Sequence, residues 1–169
     1  FVASANASLY VGGDVAFADI DPISINMSPV ALKKVLQKHS NIKAIIPVHF
    51  AGLPCDMPSI KSLADACGAL VIEDAAQAHL ANIQGQPVGT FGDAAAFSFY
   101  PTKNMTSGEG GMVVTADPEV ARQARLLRNQ GMEKRYANEI HGYNFRMTEI
   151  HAAIGVEQLK KLVSWTKKR

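Results

Sequence analysis

Apolar runs and capped helix starts alternate along most of the chain, which is the pattern of an α/β fold. Leu70-Val71-Ile72 runs into Glu73-Asp74 with no polar alternation, as in a strand buried on both faces of a parallel sheet. Ala44–Val48, Ala94–Phe99 and Met112–Thr115 read as further strands, and Val15–Ala18 as a short one. Between them the spacing predicts helices. One runs from Ser4 to Val11 and stops at Gly12-Gly13. A second starts at Ser28-Pro29, with Val30, Leu32, Val35 and Leu36 on one side. A third is capped by Asp56, turns Ile60, Leu63, Ala64 and Cys67 inward, and stops at Gly68. A fourth opens at Asp117-Pro118-Glu119 and ends near Asn129 to Gly131. The last runs from Thr148 to about Lys161 or beyond, with Ile150, Ile154, Leu159 and Leu162 on one side.

Two stretches lack helical period. His79–Thr90 carries Gly85, Pro87 and Gly89 and reads as a hairpin or loop, and Met132–Tyr143 reads as a loop. The linker between Phe99 and Met112 is short, glycine-rich and broken by Pro101. A parallel crossover needs a dozen or more residues and usually a helix, so the strand after this linker should run antiparallel. The expected fold is therefore α/β: a mostly parallel sheet with one antiparallel strand and flanking helices.

Composition narrows the function classes. With 169 residues, 47% of them hydrophobic, the chain can bury the core of one domain. A net charge of +2 gives no reason to expect nucleic acid or an acidic membrane surface as partner. The late basic run Lys160, Lys161, Lys167, Lys168 and Arg169 reads as the solvated face of a terminal helix. Cys55 and Cys67 form no CxxC pair and no metal-ligand set with the histidines, so reduced thiols, a cytoplasmic location and no metal are expected. No apolar run approaches the roughly 20 residues that span a bilayer. Neither GxGxxG nor GxxxxGK[ST] occurs.

The candidate chemistry lies in two segments. In Phe97-Ser98-Phe99-Tyr100-Pro101-Thr102-Lys103-Asn104 a strand stops at a proline and offers one lysine, and Gly108-Glu109-Gly110-Gly111 then leads back into a strand. Such a lysine is either an ordinary solvated side chain or, if partly desolvated, a nucleophile able to attack a carbonyl. In Glu73-Asp74-Ala75-Ala76-Gln77-Ala78-His79, Asp74 sits at the exit of a strand, on the edge where open α/β sheets bind ligands. A carboxylate buried there needs a cationic partner, and the protonated pyridine nitrogen of pyridoxal 5′-phosphate (PLP) would serve.

Taken together with Phe1-Val2-Ala3 and Asn6, Pro47-Val48-His49 with Gly52 and Asp56-Met57, Arg128-Asn129 with Gly131, and Gly142-Tyr143-Asn144-Phe145-Arg146-Met147, these segments span nearly the whole chain. In that order the chain resembles the DegT/DnrJ/StrS group of fold-type I, PLP-dependent sugar aminotransferases. The resemblance implies that Lys103 holds PLP covalently and, once free, moves the proton between the amino donor and the cofactor. It implies that Asp74 keeps the pyridine nitrogen protonated, that Gln77 contacts the ring hydroxyl with or without support from His79, and that Ser98, five positions before Lys103, binds the phosphate. Phe1 stacks on the ring or is a core aromatic. Asn144, or Arg146 if the loop register differs, reaches the phosphate of the opposite subunit in a homodimer with shared active sites.

The implied reaction moves an amino group from an amino acid, glutamate or glutamine, to a nucleotide-linked keto-deoxy sugar. Rival readings are an aminotransferase on a cyclitol or aminohydroxybenzoate precursor, and a non-catalytic PLP-fold relative. The sugar dehydratases of the group carry histidine in place of the lysine, so Lys103 argues against them. The resemblance also makes residues 1–169 the central part of the PLP-binding large domain, with an N-terminal segment and a C-terminal small domain outside this chain. One departure stands out: Leu80-Ala81 follows His79 where the group commonly has Gly-Ala.

Overall fold

The structure, a computed structural model, describes residues 1–168. Helix α1 covers Val2–Tyr10, α2 Pro29–Lys38, α3 Met57–Cys67, α4 Pro118–Arg128 and α5 Glu149–Lys168. Three of them begin at the caps expected from sequence. The Ser28 hydroxyl accepts from the Ala31 N–H, Asp56 Oδ1 from Ser59, and Asp117 Oδ1 from Glu119 and Val120. Each cap satisfies amides that the first turn leaves without a partner. Gly68 closes α3 in the left-handed conformation, φ 70°.

The strands are β1 (Ala44–Ile45), β2 (Leu70–Asp74), β3 (Asn82–Ile83), β4 (Gln86–Pro87), β5 (Ala94–Ser98), β6 (Gly111–Val114), β7 (Met132–Lys134) and β8 (Ala137–Asn138). The main sheet has the order β1-β2-β5-β6. β1, β2 and β5 are parallel and β6 runs antiparallel to β5, as the short glycine-rich linker requires. A parallel bridge from Val48 to Asp74 prolongs β1 past Pro47.

One face of this sheet carries the core. Ile45 and Val71 pack with Leu32 of α2 and with Met57, Ile60 and Ala64 of α3. Burying a side chain of this size contributes about 1.5–3 kcal/mol. The opposite face is more open than a strand buried on both faces would be: Leu70 and Val113 are both 55% exposed. The expectation of two covered faces is therefore corrected, and the difference follows the two-residue alternation of the strand.

Other expectations also change. Val15–Ala18 forms no strand. Val30 and Cys67 are exposed, since α2 buries Leu32 and the α3 core ends at Ala64. On α5 only Leu162 is buried, and Ile150, Ile154 and Leu159 lie exposed. Met132–Tyr143 is not a plain loop: it contains the β7–β8 hairpin, tied to α4 by Arg122, which pairs with Glu133 at 2.9 Å and with Glu139. The expected hairpin after His79 is present as β3–β4. Arg169, the end of the basic run, lies outside the described residues.

Candidate active site

β2 and β5 are parallel neighbours with Asp74 in register with Ala96. Asp74 therefore shares a sheet face with Ala96 and with Ser98 two residues on, while Glu73 shares the other face with Ala95. The chain leaves both strands at one edge of the sheet, and that edge holds the candidate site.

Asp74 is half-buried. Its Oδ2 accepts the Ser4 hydroxyl at 2.6 Å, and its Oδ1 accepts the Ala76 N–H at 3.1 Å. Each oxygen keeps an unused acceptor direction, so the carboxylate can still take a ligand N–H. Gln77 is oriented from outside its own loop: Oε1 accepts the Ala51 N–H at 2.7 Å, which leaves the amide NH2 to donate. The Ser98 hydroxyl accepts from the Tyr100 N–H at 3.3 Å, which leaves its proton to donate.

Lys103 sits on a stapled ledge. Its N–H closes a turn on the Tyr100 carbonyl, and the Phe99 carbonyl accepts both the Ser107 N–H and the Thr106 hydroxyl. Thr106 in turn accepts from the Gly108 N–H at 2.9 Å, and Met105 anchors the loop at 4% exposure. The Lys103 side chain is half-buried and has no ion pair among the described residues.

His79, at the far end of the β2 exit, is buried against the rings of Phe97 and Phe99 at 5.4 and 6.0 Å. Phe1 is 90% exposed. It is the N-cap of α1, and its carbonyl accepts the Ser4 N–H, so it stands one turn from the residue that touches Asp74. Asn144 lies elsewhere. An antiparallel bridge to Asn129 holds it exposed at the end of α4, while Arg146 donates to Asn129 Oδ1 at 3.0 Å. Gly131 makes this crossing possible, because a Cβ there would lie 1.8 Å from the Ile140 carbonyl oxygen.

Sequence reasoning did not find Ser4 or the Ala51 amide. Both act across long separations, and no local spacing signals either contact. It read Asp74 without the role of its neighbour Glu73, which is fully buried. Glu73 accepts the N–H groups of Gly89, Phe91 and Gly92, each at 2.8 Å, and His49 Nε2 lies at 3.0 Å. His49 Nδ1 accepts the Cys55 N–H, so Nε2 carries the ring proton and donates to Glu73. Burial alone would raise the Glu73 pKa, but His49 and the Gly89, Gly92 and Phe91 amides hold it below the ordinary 4.5. Burial, with the Glu73 charge nearby, pushes the Cys55 thiol up to about 12, which leaves it inert as a nucleophile.

A carboxylate with spare acceptors, a half-buried amine, a free amide NH2, a free hydroxyl and an exposed aromatic ring thus belong to one strand edge and the helix beside it. This donor set fits pyridoxal phosphate. Among the described residues no group of three or more side chains could hold a metal ion, and no helix is long and apolar enough to cross a membrane.

The sequence profile of the DegT/DnrJ/EryC1/StrS aminotransferase family matches residues 1–169. The chain is 48% identical over 155 residues to the UDP-N-acetyl-3-dehydro-alpha-D-glucosamine 3-aminotransferase of Acidithiobacillus ferrooxidans, covering 91% of this chain and 42% of that protein. Among solved structures it matches the aminotransferase from Psychrobacter cryohalolentis with a TM-score of 0.92 at 39% identity, covering 99% of this chain and 45% of that one. It also matches 3-amino-5-hydroxybenzoic acid synthase with a TM-score of 0.90 at 35% identity, covering 97% and 44%. The chain thus spans less than half the length of these relatives.

Proposed function

The chain belongs to the DegT/DnrJ/EryC1/StrS aminotransferase family, and we propose that it is the central part of the PLP-binding large domain of an enzyme that aminates a nucleotide-linked keto-deoxy sugar. Glutamate or glutamine is the proposed donor. The observation that carries this reading is the shared edge of β2 and β5. Asp74 and Ser98 fall on one face there, and Lys103 follows five residues after Ser98.

When bound, PLP supplies the electron sink that amino transfer needs. The residues divide the remaining work. Asp74 accepts the pyridine N–H and keeps it protonated, an electrostatic role that fixed geometry serves well. Gln77 donates its free NH2 to the ring hydroxyl, and Ser98 donates to the phosphate. Phe1 covers the ring, and Lys103 holds the cofactor covalently and carries the proton to and from the donor's α-carbon. In a homodimer Asn144 reaches the partner's phosphate site. It is preferred to Arg146, whose guanidinium already donates to Asn129.

The test is reductive trapping on the full-length protein. Borohydride should fix pyridoxal phosphate to the Lys103 peptide, and Lys103→Ala should lose the yellow colour. Colour kept in that variant refutes the lysine assignment. A second reading, amination of an aminohydroxybenzoate precursor, draws on the structural likeness to 3-amino-5-hydroxybenzoic acid synthase. Mass spectrometry of products from nucleotide-linked keto sugars and from that precursor separates the two.

A further inference from the structure

The chain beyond β1 carries a strained turn. Phe50–Gly52 forms a single 3-10 turn in which Ala51 adopts the left-handed conformation, φ 53° and ψ 20°. That conformation is unfavourable for a residue with a Cβ, and it persists only where the surrounding structure imposes it. Here one buried amide imposes it from both ends. Asn26 is 2% exposed; its Oδ1 accepts the Phe50 N–H and its Nδ2 donates to the Leu53 carbonyl, each at 2.9 Å. Asn26 is itself delivered by a closed loop, in which its carbonyl accepts the Asp21 N–H at 2.9 Å and the Ser28 N–H donates to the Asp19 carbonyl at 3.0 Å.

The clamped turn is seated on Gln77. Its Ala51 N–H donates to Gln77 Oε1 at 2.7 Å, and Gly52, at φ 86°, comes so close that a Cβ there would stand 2.9 Å from the Gln77 carbonyl oxygen. A backbone N–H can only donate, so this contact selects which end of the Gln77 amide stays free. The free end is the NH2. Toward a ligand the Gln77 side chain therefore offers donors, and the group it suits is a hydrogen-bond acceptor.

We propose that Asn26 is a positioning residue for Gln77: by holding the turn after β1 from both ends, it keeps the Gln77 NH2 as the end offered to an acceptor on the ligand. This deepens the cofactor reading above and rests on it for the ligand, where the acceptor is the oxygen of the ring hydroxyl. The link from Asn26 to Gln77 stands on the protein's own contacts and needs no cofactor.

Two measurements on the full-length protein test it. The first is NMR of the Gln77 side-chain NH2 in the cofactor-free protein, in Asn26→Ala and in Asn26→Ser, which can keep at most one of the two bonds. The Gln77 signals should move to the positions of a freely rotating amide. Unmoved signals in a folded variant overturn the proposal, and so does loss of the fold in both variants, which would make Asn26 a core residue only. The second is a double-mutant cycle on pyridoxal phosphate affinity. Gln77→Ala should weaken binding about tenfold, the equivalent of one hydrogen bond, and the Asn26 variant should weaken it by up to about the same factor. In the Gln77→Ala background the Asn26 substitution should cost nothing further, because its effect passes through Gln77. Losses that simply add, or an Asn26 variant that binds as the wild type does, overturn the proposal. If the wild-type protein binds no pyridoxal phosphate, the function proposed above fails instead, and the Gln77 signals still decide the role of Asn26.

Discussion

Glu73 and Asp74 are consecutive carboxylates on one strand, and they face opposite sides of the sheet into opposite situations. Glu73 is sealed, with three backbone amides and one imidazole directed at it, while Asp74 is half-buried and retains acceptor capacity. A buried carboxylate whose acceptor sites are filled from within the fold is a structural staple. One with sites to spare is arranged for something that arrives later. Burial alone would have ranked Glu73 as the more promising functional residue. Counting partners reverses the order.

The largest expected effect is on the sealed side. Glu73→Ala leaves three amides and the His49 N–H without an acceptor in the core. Denaturant unfolding of the full-length protein should show a loss of about 3–5 kcal/mol, or no folded protein at all. A loss under about 1 kcal/mol would contradict the staple role. Asp74→Asn should give the opposite signature. Stability should change by less than about 1 kcal/mol, whereas turnover in the proposed reaction should fall roughly 100-fold or more, because in the proposed role the amide would not keep the pyridine nitrogen protonated. Equal losses of stability at both positions would erase the distinction between them.

The legibility of the chain divides along the same line. Ser28, Asp56 and Asp117 declared their helices because a cap acts within three residues, and the reversal of β6 followed from linker length. The β7–β8 hairpin was not legible. It is polar, and ion pairs from Arg122 on a separate helix hold it, so no hydrophobic period marks it. At the candidate site, the strand exits that carry Asp74, Ser98 and Lys103 could be read from sequence. The Ser4 hydroxyl on Asp74 could not, because 70 positions separate the two. The saturation of Glu73 was equally hidden, since its donors are main-chain amides of a loop and have no sequence signature.

Proton linkage gives a subtler separation, of His79 from Glu73. His79 has its folded pKa below the ordinary 6.5, so between these values the unfolded chain binds more protons and stability rises with pH. Its contribution is complete above 6.5 and is lost as pH falls below it. Glu73 has its folded pKa below the ordinary 4.5, so its contribution is complete above 4.5 and is lost only as pH falls further, toward the depressed value. Acid unfolding of the wild-type protein, followed by thermal midpoint against pH, should therefore begin with a first decline below 6.5 that His79→Phe removes. The steeper decline below 4.5 should survive that substitution. A single decline, the same in both proteins, would show that His79 is not titrating in the fold.

The smallest expected effect concerns Leu80, which follows His79 in the turn after β2. Leu80 has φ 64° and occupies the third position of the turn from Ala78 to Ala81, closed by the Ala81 N–H on the Ala78 carbonyl. Turns with positive φ at that position favour glycine. A leucine there carries roughly 1–2 kcal/mol of backbone strain, and at 48% exposure its side chain recovers little of that by burial. Leu80→Gly relieves the strain but gives the unfolded chain more freedom to lose, a cost of about 0.5–1 kcal/mol. The balance should be a gain of about 0.5–1 kcal/mol, seen as a thermal midpoint a few degrees higher. If the midpoint falls instead, Leu80 is packed better than its exposure implies. If the midpoint rises while KM for the proposed substrate worsens and kcat holds, the strain is retained because the leucine side chain meets that substrate.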